Sequence, residues 1–339
     1  MINFNKDKYF QSLEKINKLD YKSYFNKKIL ITGANGLIGG SLLDFFMYLN
    51  EKKEANINIY VLVRSNLKKH TFFEYTKVNI ITQSVTDSIV IDDSLDYIFH
   101  TASNAHPKVY SEFPVETMLT NLLGTMNILE LAKIKKAKLI NVSTSEVYGN
   151  IFDENKCMKS ETDYGYIDIL NSRACYPESK RASETLINSY IQEYDVQALT
   201  VRPAYIYGLR FNPNNTRADV EFIKSCLAKK DIVLKSKGLQ KRSYCYVLDC
   251  VDAMLCVGLF GKNGCAYNIS SDTGNMELVQ FAQKLANYSG VKVVFNLSDT
   301  PGGSTINNSL LDNSRLKELG WNEIFGVDEG IKDIFKLVD

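Results

Sequence analysis

Tyr176 and Lys180, four residues apart in ACYPESKR, have the types and spacing for proton chemistry. That spacing at the start of a helix puts both side chains on one face. An ammonium beside a phenol favours the phenolate, which predicts a lowered tyrosine pKa and a proton donor or acceptor usable near neutral pH. Alone, such a pair is common and usually structural. It gains weight from the run Ser143-Thr144-Ser145-Glu146-Val147-Tyr148-Gly149, where hydroxyls and a carboxylate follow the apolar stretch AKLINVS. In an open α/β sheet such a strand end is where ligands bind, and Thr144 is suited to polarise a reacting oxygen.

A third run, Thr32-Gly33-Ala34-Asn35-Gly36-Leu37-Ile38-Gly39-Gly40, leads from KKILIT into SLLDFFMYL. Gly33, Gly36 and Gly39 permit a tight turn and a close backbone approach, and with Asn35, Leu37 and Ile38 they open a helix whose free N–H groups suit a pyrophosphate. A lone glycine pattern is weak evidence; between an apolar strand and a helix it is strong. The next strand, IYVLV, runs into Arg64 and Ser65, where an NAD-preferring protein usually carries an acid. A guanidinium and a hydroxyl suit a 2′-phosphate instead, so NADP(H) is favoured, with NAD(H) as the alternative. The plain alternative for Arg64 is a solvated loop residue.

These residues need a frame. The apolar runs KKILIT, NINIYVLV, KVNIIT, DYIFH, AKLINVS and VQALTVR alternate with helical stretches, including amphipathic segments at 115–133 and 176–194. Alternation of this kind predicts an α/β protein, a Rossmann-type doubly wound parallel sheet with a smaller C-terminal α/β substrate domain. The expected division is an N-terminal helical extension over 1–26, a dinucleotide-binding domain over 27–207 and a mainly substrate-binding domain over 208–339. In the extension, Tyr9, Phe10, Leu13, Ile16 and Leu19 have the spacing of a short amphipathic helix packed outside the main fold.

Composition narrows the partners. Forty basic residues against thirty-nine acidic ones leave no overall field for nucleic acid or an anionic membrane. The opening MINFNKDKYF lacks the apolar core of a signal peptide and no segment is long enough to span a bilayer, which predicts a cytoplasmic protein. Seven scattered cysteines without a CxxC, and three histidines, predict reduced, mostly buried thiols and no metal site.

Together the glycine turn, STSEVYG and the Tyr176–Lys180 pair resemble the extended short-chain dehydrogenase/reductases that modify nucleotide sugars, over about residues 27–335. The segments HTASNAHPKVYSEFPVETMLTNLLGTMNILELAK and TDYGYIDILNSRACYPESKR look most like the UDP-glucuronate decarboxylase branch. The resemblance implies a catalytic set of Thr144, Tyr176 and Lys180, with Ser145 and Glu146 facing the sugar. It implies cofactor contacts from Ser84, Val85, Thr101, Ala102, Ser103 and Pro203. Asn104 and His106 fall in the loop between cofactor and sugar. Arg242 matches a family arginine at the substrate, Arg217 another, and Arg173 and Tyr205 complete the expected substrate side. Asn121 matches a family asparagine that is structural more often than catalytic. The family's helices also imply a homodimer.

Three departures stand out. The run Arg202-Pro203-Ala204-Tyr205-Ile206-Tyr207-Gly208 lacks the asparagine that in the branch touches the diphosphate, Lys235 stands where the family often has an aromatic beside the base, and Arg64 replaces the expected acid. A reductase that consumes its cofactor gains from the NADPH pool, so Arg64 tilts the expectation towards NADPH-dependent reduction of a nucleotide-linked ketose, such as a CDP-linked one giving a CDP-alditol for surface polysaccharide. The alternative is a decarboxylase, 4,6-dehydratase or epimerase with tightly bound NAD(P), in which Glu146 is a general base or electrostatic element. An idle NADP(H)-sensing or scaffold subunit is a third reading, opposed by the intact Thr144, Tyr176 and Lys180.

Overall fold

All six apolar runs become strands of one parallel sheet, and a seventh strand joins them from far along the chain. The computed structural model describes residues 4–16, 21–70, 72–105, 107–152, 156–211, 215–297 and 308–338. In order come α1 (Lys6–Lys15), β1 (Lys28–Thr32), α2 (Leu37–Lys53), β2 (Asn58–Val63), β3 (Val78–Thr82), β4 (Tyr97–His100), α3 (Pro107–Glu112) and α4 (Pro114–Lys135). Then follow β5 (Lys138–Val142), α5 (Cys175–Tyr194), β6 (Ala198–Pro203), β7 (Tyr205–Tyr207), α6 (Ala218–Leu227), β8 (Ile232–Leu234), β9 (Lys241–Tyr246), α7 (Val247–Phe260) and β10 (Ala266–Ile269). The last elements are β11 (Asn275–Glu277), α8 (Leu278–Ser289), β12 (Val293–Phe295), β13 (Asn308–Ser309), α9 (Ser314–Lys317) and α10 (Gly326–Val338).

The main sheet has the order β10-β6-β5-β4-β1-β2-β3. Alternate residues of each strand face opposite layers. Leu30, Leu62, Ile98, Leu139 and Ala198 pack under Ile128 and Leu129 of α4 and Ile187 of α5. Ile29, Val61, Phe99, Ile140 and Leu199 belong to the larger core with α2 and α7. This is the doubly wound parallel fold. The sheet does not stop at residue 207, because α7 covers one of its faces and β10 pairs with β6 along its edge. Elsewhere in the C-terminal part, β9 gathers β7, β11 and β13 into a four-stranded sheet, and β8 pairs with β12.

The N-terminal helix is more than an outside attachment. Tyr9, Phe10, Leu13 and Ile16 enter the larger core, Tyr9 Oη donates to Asp44 Oδ2 of α2 at 2.8 Å, and Ser12 Oγ donates to Asp333 Oδ1 of α10 at 2.6 Å. Leu19 lies outside the described residues. Asp44 also meets Arg210 Nη1 at 2.8 Å, and both are buried. Five of the seven cysteines are buried thiols, Cys157 is exposed, and none is disulfide-bonded. Among the described residues no helix is long and apolar enough to cross a membrane, and no cluster of His, Cys, Asp and Glu suits a metal ion.

Candidate functional site

The C-terminal ends of β1, β4, β5 and β6 converge on one cleft. At β1 the backbone turns through Gly33 with φ +73°, and a Cβ there would lie 2.8 Å from the Ala102 nitrogen. A Cβ on Gly39 would lie 2.4 Å from Thr101 Oγ1. Thr101 Oγ1 donates to the Thr32 carbonyl at 2.6 Å and Ala102 N–H donates to Thr32 Oγ1 at 3.2 Å, so the two loops lock together. Gly36 caps α2 without a side-chain hydrogen bond, leaving the first-turn amides of Leu37 and Ile38 for another acceptor. That cradle fits a dinucleotide's pyrophosphate. Asn35 is engaged otherwise: its side chain donates to the Asn66 carbonyl and accepts from Lys68 N–H, tying the turn to the loop after β2. Ser84 Oγ pairs with Thr86 Oγ1, Val85 is buried where a Cβ on Gly124 would lie 2.8 Å away, and Pro203 ends β6.

The end of β2 differs from its sequence reading. Ser65 is exposed, but Arg64 is not a free cation. Its Nη1 lies 2.9 Å from Glu116 Oε1 and its Nη2 donates to Asn104 Oδ1 at 3.2 Å. An acid does stand at this position, supplied by the first turn of α4, and the expectation of none fails because the pairing spans fifty-two residues.

Tyr176 and Lys180 lie on the inner face of α5, both buried. Lys180 Nζ donates to the Val142 carbonyl at 2.8 Å, and burial lowers its pKa to about 8, with Glu184 opposing. Tyr176 is pushed upward by burial and then by the Glu146 carboxylate; a Thr144 hydrogen bond and Arg217 pull it back. The lowered tyrosine pKa expected from Lys180 is therefore corrected. The ammonium is aimed at a carbonyl, and desolvation of the phenolate dominates. Thr144 Oγ1 also accepts from Glu146 N–H at 3.2 Å, opening the short turn that carries Ser145 and Glu146.

Burial raises the Glu146 carboxyl, while Arg173, Arg217 and Arg242 pull it down in that order. The charges of three arginines are thus felt at this carboxyl, whose own charge is felt at Tyr176. Arg242 lies 5.1 Å and Arg217 6.0 Å from the ring of Tyr205, which serves both as a platform. Arg217 Nε is also held by Asp219 Oδ1 at 3.0 Å. Arg173, Tyr205, Arg217 and Arg242 therefore belong to the cleft. Lys235 does not join them: it is exposed after β8 and makes no hydrogen bond or ion pair among the described residues. His106 lies outside the described residues.

Tyr110 and His100 of the cleft were not singled out in the sequence, whereas Asn121 was matched there to a mostly structural asparagine. Tyr110 of α3 stacks on Tyr176, and its hydroxyl lies 3.5 Å from Arg173 Nη2. His100 at the end of β4 is buried, bonded to Thr32 Oγ1 at 2.8 Å. Burial, then Lys180, lowers its pKa to about 3, so it is neutral. Asn121 accepts from Ser103 Oγ at 2.8 Å and donates to Ser179 Oγ at 2.9 Å, bridging the loop after β4 to α5. The aromatic type of Tyr110 was its only sequence signal.

The NAD dependent epimerase/dehydratase family model matches residues 29–270. UDP-glucuronic acid decarboxylase 3 of Arabidopsis thaliana is 34% identical over 312 residues, covering 90% of this chain and 87% of that protein. UDP-glucuronic acid decarboxylase 1 of Xenopus tropicalis is 30% identical over 307 residues, covering 90% and 70%. Among solved structures, the UDP-glucose 4-epimerase of Thermotoga maritima superposes with a TM-score of 0.77 at 24% identity over 91% of this chain and 97% of that one. The dTDP-glucose 4,6-dehydratase of Bacillus anthracis gives 0.73 at 19% identity, over 91% and 95%. Those two likenesses are of fold. On the family match and the decarboxylase relatives, the chain belongs to the NAD dependent epimerase/dehydratase family.

Proposed function

We propose that this enzyme decarboxylates a nucleotide-linked uronic acid by oxidation, loss of CO2 and reduction at one site. The observation that carries the reading is the gathering of Arg217 and Arg242 on the Tyr205 ring and of Arg173 at Tyr110, which stacks on Tyr176, with all three charges felt at Glu146. Arg173, Arg217 and Arg242, set against the carboxylates of Glu146 and Asp219, bring planar donor forks suited to the oxygens of a diphosphate and a uronate carboxylate. A neutral ketose offers only the diphosphate. The relatives named as UDP-glucuronic acid decarboxylases support the same reading.

In this account Tyr176 acts as the phenolate that the positive charge of an oxidised nicotinamide would favour against burial, and takes the proton of the sugar 4-hydroxyl, with Thr144 holding the oxygen, as hydride leaves the same carbon. A bound nicotinamide would supply the acceptor for that hydride and later its source. Oxidation places a ketone β to the carboxylate. The bond from the ring to the carboxyl carbon then breaks, CO2 departs, and the electron pair is delocalised onto the ketone oxygen. Glu146, whose carboxyl is raised by burial, is suited to return a proton to the ring carbon. Return of the hydride and of the Tyr176 proton completes the cycle without net redox change.

A second reading keeps the reductase expected from Arg64. It is favoured by the guanidinium itself and by the exposed Lys235 in place of an aromatic beside the base. The two separate with UDP-glucuronate and a nucleotide-linked ketose as alternative substrates. The decarboxylase reading expects a product lighter by one CO2 from the first, with Glu146→Gln losing most of the rate and not merely raising KM. Stoichiometric NADPH oxidation by the ketose, with no reaction of the uronate, would establish the reductase instead.

A further inference from the structure

Three side chains from distant positions close a hydrogen-bonded triangle beside the cofactor cradle. Arg64 Nη1 lies 2.9 Å from Glu116 Oε1, Arg64 Nη2 donates to Asn104 Oδ1 at 3.2 Å, and Asn104 Nδ2 donates to the same Glu116 oxygen at 3.2 Å. Asn104 is buried, whereas the Arg64 and Glu116 side chains are 59% and 52% exposed. The buried amide therefore holds in place an ion pair that a ligand can still reach.

We propose that Glu116 sets the choice between the two nicotinamide dinucleotides, occupying the guanidinium that would otherwise take a 2′-phosphate, so that the chain prefers NAD(H). The proposal rests on the reading that the adenosine ribose lies at the end of β2, where this fold places it. In the NAD-preferring arrangement an acid on that strand end meets the ribose hydroxyls and repels the phosphate. Here the strand end carries Arg64 and the acid arrives from the first turn of α4, where an acid also suits the helix N-terminus.

The electrostatics fix the direction and limit the size of the effect. A 2′-phosphate approaching Arg64 meets the Glu116 carboxylate at the same fork, so the guanidinium must be shared between two anions or surrendered by one. A ribose with free hydroxyls meets no such repulsion and finds both donors and an acceptor. Because the ion pair is half exposed, its charges are screened by water, and the discrimination is about tenfold rather than a thousandfold. It must also weaken as ionic strength rises.

Dissociation constants for NADH, NADPH and adenosine 2′,5′-bisphosphate, measured by titration calorimetry on the full chain, test this. The parent protein should prefer NADH. Glu116→Gln, which keeps the shape and removes the charge, should tighten NADPH and the bisphosphate by about tenfold at low salt without tightening NADH. Arg64→Leu should erase that gain when combined with Glu116→Gln. A role for Glu116 confined to stabilising α4 predicts no change in the NADPH-to-NADH ratio, and an unchanged ratio overturns the proposal. If Arg64→Leu shifts the ratio and Glu116→Gln does not, only the part assigned to Glu116 fails. If Arg64→Leu shifts nothing in either background, the ribose does not lie at the end of β2 and the placement fails with it.

Discussion

Tyr110 lies face to face on Tyr176, with ring centroids 5.2 Å apart and planes 10° from parallel. One ring thus fixes the plane of the other at the strand ends where the reaction is proposed to occur. An aromatic pair of this kind contributes about 1 kcal/mol beyond the area it buries. Tyr110→Phe should keep the stack and most of kcat, whereas Tyr110→Ala should lower kcat by about tenfold by freeing the Tyr176 ring. Tyr176→Phe should cost about a hundredfold to ten-thousandfold while leaving dinucleotide affinity unchanged by fluorescence titration. A Tyr110→Ala variant as fast as the parent would remove the positioning role.

Lys180 makes activity and stability pull in opposite directions. Its pKa falls from 10.5 to about 8 in the folded protein because burial disfavours the ammonium. Between those values the unfolded chain binds more protons, so stability rises with pH there, and the full cost is present below the lower value. That cost is about 3 kcal/mol, and in a variant without the ammonium the Val142 carbonyl would lose its donor, which takes back about 1 kcal/mol. Lys180→Met should therefore be inactive yet about 2 kcal/mol more stable at neutral pH by urea denaturation, with the gap closing as pH rises above about 8. A variant less stable than the parent at neutral pH would contradict this account of the buried charge.

Behind the glycine turn, Arg210 Nη1 meets both carboxylate oxygens of Asp44, at 2.9 and 2.8 Å, with both side chains buried. His70 Nε2, 3.3 Å from Asp44 Oδ2, and Tyr9 complete the surroundings of that carboxylate. Removing one partner of a buried pair leaves an uncompensated charge, at a cost of about 3–5 kcal/mol. Arg210→Met should lower the melting temperature accordingly, and the double change with Asp44→Leu should recover part of the loss. Equal melting temperatures for parent and Arg210→Met would show the pair to be energetically idle.

How much of this was legible in the sequence depends on how local each relationship is. The six strand runs, the glycine turn and the one-turn spacing of Tyr176 and Lys180 are short-range patterns, and the backbone follows them. The seventh strand, Ala266–Ile269, is four residues long and follows a change of rhythm, so nothing local tied it to the sheet. Glu116 at Arg64 and Glu184 at Arg202 are pairings across fifty-two and eighteen positions, visible only once helices lie on strands. Tyr176 shows a different limit. Its neighbour in sequence was identified, but burial outweighs that neighbour in setting its proton affinity.

The outer flank of α4 exposes Val115, Met118, Leu119, Leu123 and Met126 at helical spacing. A row of that size suits a second copy of the chain packed across a two-fold axis. Light scattering at micromolar concentration should give a dimer, and Leu119→Glu with Leu123→Glu should give a folded monomer by circular dichroism. A monomeric parent would leave this flank without the proposed partner.

The central claim is that hydride leaves the sugar and returns to it. UDP-glucuronate carrying deuterium at C4, incubated with enzyme and NAD+ in ordinary water, tests this most directly. The account predicts a nucleotide-linked pentose that retains the deuterium at C4, CO2 released in equal amount, and no net change in reduced nicotinamide. Loss of the label to a pool of free deuterated NADH, or no release of CO2 while a nucleotide-linked ketose consumes NADPH, would contradict it.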